Sequence, residues 1–89
     1  MTNLKIYAKE QIATLIPKVE NLELRATVSD SSYSIEFFVL VGGERKQCYE
    51  LADDGIVDEE KLDQVLSLIA EYIRNDADYK KGSVNKVTF

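Results

Sequence analysis

Apolar residues near the start of the chain recur at the spacing of an amphipathic helix. Residues 3–16 carry one apolar stripe at i, i+4, i+8, i+11 and i+12, which predicts a helix with one buried face. The stripe consists of Leu4, Ala8, Ile12, Leu15 and Ile16. Thr2 or Asn3 can cap the start of this helix. We expect Pro17 to end it, because a proline disfavours the helical conformation in the residue before it.

A stronger helical pattern lies in the second half of the chain. Asp58 is suited to cap a helix, and Val57 and Leu62 are spaced to make the hydrophobic contact that often spans such a cap. The apolar positions follow at i, i+3, i+4, i+7 and i+11. They are Leu62, Val65, Leu66, Ile69 and Ile73. The helix is expected to continue through residues 79–81, with Gly82 just beyond its end.

Between these helices, apolar and polar residues alternate with the period of β-strands. Residues 22–29 and 33–41 each place their apolar side chains on one face, and turn-forming residues separate the two stretches. The expected inner faces are Leu22, Leu24, Ala26 and Val28 in the first strand and Tyr33, Ile35, Phe37, Val39 and Val41 in the second. Both strands are therefore expected to cover a core with one face and to meet solvent with the other.

Two further strands are less clearly marked. After a turn at residues 42–44, a third strand is predicted over residues 45–51, with Tyr49 and Leu51 pointing inward. Residues 84–89 have the composition of a short fourth strand. The order is therefore α-β-β-β-α, with a final β left open. We expect a single α+β domain over residues 1–89, in which a small antiparallel meander sheet has two helices packed on one face.

Composition agrees with a folded chain outside the membrane. Hydrophobic residues make up 45% of the sequence, and no stretch approaches the roughly 18 consecutive apolar residues of a membrane-spanning helix. The first residues lack the apolar core of a signal peptide. The single cysteine, Cys48, cannot form an internal disulfide. These features predict a cytoplasmic protein with no membrane partner.

The charge of the chain is acidic and unevenly distributed. Sixteen acidic residues stand against eleven basic ones, for a net charge of −5. Such a balance disfavours direct binding to nucleic-acid phosphates. Residues 50–63, here called the acidic segment, hold seven acidic residues and one lysine, a local charge of −6. The net negative charge of the protein therefore resides in this segment.

Residue types that commonly carry catalysis are scarce. The chain has no histidine, which removes the commonest general base, the commonest metal ligand and every His-dependent nucleophile pair. Cys48 has no evident activating partner and is interpreted as a small buried or half-buried side chain. Gly42 and Gly43 lie between predicted strands, without the helix N-terminus that a phosphate-binding loop requires. We therefore expect a binding protein, not an enzyme, with no cofactor and no metal site.

Two features remain as candidate binding surfaces. The first is the carboxylates of the acidic segment, which could be a solvated helix start, a partner-facing surface or a calcium site, although their spacing does not match an EF-hand. The candidates are Asp53, Asp54, Asp58, Glu59, Glu60 and Asp63. The second feature is Phe38 and Leu40 on the outer face of the second strand. They are either covered by the C-terminal residues or exposed as an interface.

Several short strings resemble the YezG-like (EsaG-like) family of bacterial antitoxin and immunity proteins. They are Ile-Ala-Thr-Leu-Ile-Pro at residues 12–17, Leu-Arg-Ala-Thr-Val at 24–28, Ser-Ile-Glu-Phe-Phe at 34–38 and Val-Asp-Glu-Glu at 57–60. Family members usually carry a tryptophan shortly after the Ile-Pro pair, and this chain has none. The resemblance implies a role class and no particular contact residues.

The resemblance implies that the chain neutralises a cognate bacterial toxin, typically a nuclease, by forming a stoichiometric complex in the cytoplasm. Such a toxin is basic where it holds phosphate, so an acidic domain could occupy that surface. The alternative from another class is a small acidic adaptor or structural subunit, for instance a homodimer built through Phe38 and Leu40.

Overall fold

The computed structural model describes residues 2–82 and 84–89. These residues form three helices and one antiparallel sheet with the strand order β3-β2-β1-β4. In chain order the elements are α1 (Thr2–Ile12), β1 (Glu23–Val28), β2 (Tyr33–Val41), β3 (Glu44–Gln47), α2 (Cys48–Asp53), α3 (Glu59–Arg74) and β4 (Asn85–Thr88). The predicted α+β class and the antiparallel meander are confirmed. Among the described residues, no helix combines the length and apolar composition needed to cross a membrane.

The helices pack on one face of the sheet and leave the other face without a helix. In β1 and β2 the apolar residues alternate with polar ones, as predicted, and cross-strand neighbours such as Leu24 and Phe37 share the inner face. A single hydrophobic cluster joins this face to all three helices. Tyr7 of α1 and Tyr72 of α3 stack with their ring centroids 4.4 Å apart. Of the predicted inner positions, Tyr33 is exposed, and Leu22 and Val41 are half-buried.

Helix α1 ends earlier than the sequence pattern predicts. The predicted helix reached residue 16, but α1 ends at Ile12 and a turn follows, in which the Thr14 hydroxyl donates to the carbonyl of Gln11 at 2.6 Å. Ile16 is nevertheless buried. Ile16 is therefore buried as the helical spacing predicted, although it lies beyond the helix. The prediction that Pro17 ends the helix is wrong, because α1 already ends at Ile12. At the other end, Thr2 and Asn3 both lie within α1, so neither precedes the helix as the predicted capping residue would.

The predicted third strand is half strand and half helix. Strand β3 ends at Gln47, and residues 48–53 form α2. Cys48 and Leu51 are buried three residues apart, which is a helical spacing. The Glu50 carboxylate also accepts a hydrogen bond from the backbone N–H of Gln47 at 3.3 Å, which supports the start of the helix. Tyr49, predicted to point inward, is consequently exposed.

Helix α3 begins as predicted and ends earlier. Asp58 is its N-cap, and its carboxylate accepts from the N–H groups of Glu60 and Lys61 at 2.9 and 3.2 Å. The helix ends at Arg74 instead of continuing to residue 81. The Arg74 guanidinium donates to the carbonyls of Ser29 and Ser32 at 2.8 and 3.2 Å, in the turn between β1 and β2. These contacts join the end of the helix to the sheet, which the helical pattern alone could not predict.

The residues after α3 cross to the same turn and then add a strand. The Tyr79 hydroxyl donates to the Asp30 carboxylate at 2.8 Å, and so does the Gly82 backbone N–H at the same distance. The chain then forms β4, which pairs antiparallel with β1. The fourth strand left open by the sequence is therefore present, at the edge of the sheet beside β1.

Candidate protein-binding surfaces

Cys48 is not placed for nucleophilic chemistry. Its side chain is fully buried at the start of α2. Burial raises the pKa of the Cys48 thiol above its ordinary value, so the thiol is protonated at neutral pH. Across residues 2–82 and 84–89, no group of three or more acidic, cysteine or histidine side chains is arranged to hold a metal ion.

The acidic segment comprises most of α2, the loop after it and the start of α3, and these two helices contact each other. Two of the six candidate acids already have structural partners. The Asp54 carboxylate lies 2.6 Å from Lys46 Nζ, and this hydrogen bond raises the pKa of Lys46 above its ordinary value. Asp58 caps α3 through two backbone N–H groups. These two carboxylates contribute negative charge to the surface, but their positions serve the fold.

The other four candidate acids are available to a partner. Asp53, Glu59, Glu60 and Asp63 are all exposed, and none takes part in an ion pair within the described residues. Glu59 and Glu60 lie in the first turn of α3, where the partial positive charge of the helix end stabilises them. Exposed charges of this kind can attract a basic surface over a distance of about 8 Å at physiological salt.

An exposed apolar residue lies within the acidic segment and was not predicted as a site residue. Ile56 is 42% exposed, whereas the neighbouring Val57 is buried. Ile56 lines a shallow pocket of about 270 Å³ together with Ile16, Pro17, Leu40 and Val41. The sequence did indicate that one apolar residue at this point would remain exposed. Two consecutive apolar residues stand between acidic ones, and only one of them can make the hydrophobic contact across the cap of α3.

Phe38 lies on the outer face of the sheet beneath two arginine side chains. The guanidinium carbon of Arg45 is 4.1 Å from the centroid of its ring, and that of Arg25 is 5.6 Å away. Both distances suit cation–π contacts. The C-terminal residues do not cover this ring, since they pair as β4 at the edge of the sheet. Phe38 is therefore half-buried beneath charged side chains, which neither of the two sequence interpretations described.

The arginines over Phe38 are themselves held by carboxylates. Arg45 Nη2 lies 2.6 Å from Glu23 Oε2, and Arg25 Nη1 lies 3.6 Å from Glu36 Oε1. The Glu36 carboxylate also accepts from Gln47 Nε2 at 2.9 Å. The outer face is thus a network of alternating charges with Phe38 below it. The outer face of the sheet is therefore more polar than Phe38 and Leu40 in the sequence of β2 would indicate.

The fold separates the predicted site residues into two surfaces. Phe38 belongs to the outer face of the sheet, whereas the six acidic candidates lie beside the helices that cover the inner face. Leu40 is half-buried on the same face of β2 as Phe38. It lines one pocket with Glu23 and Arg45 and another with Ile56, so it lies between the two surfaces. No family model, curated protein or solved structure matches the chain. The family resemblance and the binding roles of these residues therefore stay predictions.

Proposed function

We propose that this protein is an immunity protein or antitoxin, which binds a basic cognate toxin, such as a nuclease, and neutralises it in a stoichiometric complex. The observation that carries the proposal is the set of four exposed, unpaired carboxylates around the junction of α2 and α3. A nuclease must present positive charge where it holds phosphate, and this end of the molecule is complementary to such a surface.

The electrostatic arrangement suits an inhibitor that must act quickly. A cluster of like charges raises the rate of encounter with an oppositely charged protein more than scattered charges do, because screening limits each charge to nearby distances. An inhibitor has to reach its toxin before the toxin reaches nucleic acid. The family resemblance of residues 12–17, 24–28, 34–38 and 57–60 supports the same role class.

The direct test is inhibition of a candidate toxin encoded immediately upstream of this chain, where immunity genes are expected to follow their toxin genes. We expect co-expression to restore growth, and titration of the purified toxin to reach full inhibition at one equivalent of this protein. Calorimetry with the same two proteins should give a matching stoichiometry. An upstream protein that neither binds nor is inhibited would contradict the proposal.

The contribution of the exposed carboxylates can be tested separately. In one variant, Asn replaces Asp53 and Asp63, and Gln replaces Glu59 and Glu60, while Asp54 and Asp58 remain because they hold structural contacts. We expect the association rate with the toxin to fall severalfold at low salt, with a smaller change in the dissociation rate. High salt should reduce the difference between the variant and the original protein.

A control variant removes exposed carboxylates outside the acidic segment. Glu10→Gln with Asp78→Asn changes two exposed residues on other parts of the chain. Its effect on the association rate, expressed per charge, should be clearly smaller than that of the four-residue variant. Equal effects per charge would assign the attraction to net charge alone, and the acidic segment would then have no special role in binding.

A further inference from the structure

We propose that Ile56 is the apolar anchor of the toxin-binding surface, and that the pocket beside it receives an apolar side chain from a basic segment of the partner. This inference rests on the proposed function and adds the type of contact that holds the complex together. Two independent observations support it: the way the backbone presents Ile56, and the position of Ile56 in the sequence between exposed carboxylates that form no ion pair within the described residues.

The backbone around Ile56 is held in one arrangement. The N–H groups of Ile56 and Val57 both donate to the carbonyl of Leu51, at 2.9 and 3.2 Å, and the N–H of Gly55 donates to the carbonyl of Ala52 at 3.1 Å. Gly55 has φ of +74°, a conformation that other residues rarely adopt. The loop therefore closes onto the end of α2. Val57 is directed into the core and Ile56 remains at the surface, so little conformational entropy is lost when a partner covers it.

The pocket next to Ile56 is mainly apolar and open to solvent. Pro17 and Leu40 line it from the turn after α1 and from β2, so together with the loop that holds Ile56 three separate parts of the chain form the pocket. Lys18 and Glu20 lie at the pocket as well and form an ion pair at 2.9 Å. Because Lys18 and Glu20 neutralise each other, the residues that line the pocket add no net charge. The negative charge closest to Ile56 in the sequence comes from the acidic segment itself.

An apolar centre with a charged surround is the usual arrangement of a protein-binding hot spot. Acidic residues flank Ile56 on both sides in the sequence, with Asp53 and Asp54 before it and the first turn of α3 after it. The matching partner is a segment in which lysine or arginine residues flank an apolar side chain. A second copy of this chain is a poor occupant, since two acidic segments would then face each other and repel.

The inference can be tested with defined peptides before any toxin is in hand. The first peptide is Lys-Arg-Lys-Leu-Lys-Arg-Lys, and the second has serine in place of its leucine. In heteronuclear NMR titrations of the labelled protein, the leucine peptide should shift the amide signals of Ile56, Leu40 and Gly42. It should also bind at least about fivefold more tightly than the serine peptide, as expected for a contact worth more than about 1 kcal/mol.

Variants of the protein then assign this preference to the anchor. Ile56→Ser should abolish the difference between the two peptides, and Ile56→Ala should reduce it. Leu68→Ser is the matched control, because Leu68 is 45% exposed on α3 and lies outside the pocket. The control should keep the preference for the leucine peptide. Thermal unfolding of each variant verifies that the fold is retained.

The outcomes separate this inference from the proposed function. Equal binding of the two peptides at the acidic segment, unaffected by Ile56→Ser, would overturn the anchor and leave charge-driven toxin binding intact. Loss of the preference in Leu68→Ser as well would also overturn it. Shifts confined to the outer face of the sheet, or no binding of either peptide, would contradict the anchor too. Only failure to inhibit the upstream toxin would remove the proposed function.

Discussion

Leu68 and Ile69 are neighbours in the sequence, but their side chains have opposite environments. Ile69 is fully buried and Leu68 is 45% exposed. The cause is the period of α3, in which adjacent residues point about 100° apart, so that only the stripe through Leu62, Leu66 and Ile69 faces the sheet. This arrangement confirms the predicted buried face of α3.

The pair provides a test of that buried face. Ile69→Ala should lower the free energy of unfolding by about 2–5 kcal/mol, because it removes buried methyl groups and leaves a cavity. Leu68→Ala should cost roughly 0.5 kcal/mol or less, since its side chain is largely solvated. Chemical denaturation of both variants would measure the difference. A loss below about 1 kcal/mol for Ile69→Ala would mean that α3 packs through another face.

At the scale of elements, local signals decided where α3 begins but not where it or α1 ends. Asp58 forms its cap through hydrogen bonds to residues two and three positions away, so the sequence contained everything needed to predict it. At the end of α3, the Arg74 guanidinium contacts the turn between β1 and β2, more than forty residues away in the chain. A periodic pattern carries no information about that contact.

The cap of α3 can be tested apart from its charge. Asp58→Ala should lower the free energy of unfolding by about 0.5–2 kcal/mol, because two backbone N–H groups lose their acceptor. Asp58→Asn is the matched control, since asparagine also caps helices well and removes the same charge. It should keep most of the stability in thermal or chemical denaturation. Equal losses in the two variants would assign the effect to charge at the helix start and not to the cap.

At the scale of the whole molecule, the sheet has two different faces. One carries the helices and the core, and the other carries Phe38 beneath the network of Arg25, Arg45, Glu23 and Glu36. The acidic segment lies at the edge of the helical layer, so the two predicted surfaces could bind different partners. The alternative function, a homodimeric adaptor, requires the outer face.

Phe38→Ser distinguishes the two uses of the molecule. We expect it to fold and to lose on the order of 1 kcal/mol of stability, since the ring is half-buried and contacts two exposed arginines. If the outer face forms a homodimer, sedimentation equilibrium should show self-association that this substitution weakens. In the toxin-binding role, inhibition should persist in the variant. Global unfolding of Phe38→Ser would place the ring in the core and contradict the structure of this face.

The sequence by itself determined the α+β class, both strands of the central hairpin, the buried stripe of α3, its cap and the uneven charge. Each of these depends on residues close together in the chain, whose periodicity or side-chain chemistry acts locally. Only the tertiary structure decided that residues 48–53 form a helix, that α1 and α3 end early, and that arginines cover Phe38. It also decided that Ile56 lines an open pocket together with Pro17 and Leu40. The helix at residues 48–53 escaped prediction because a short apolar run suits a strand or a helix equally until its neighbours determine which face can be buried. The arginines over Phe38 escaped it because they come from other strands, β1 and β3, which only the folded sheet brings together.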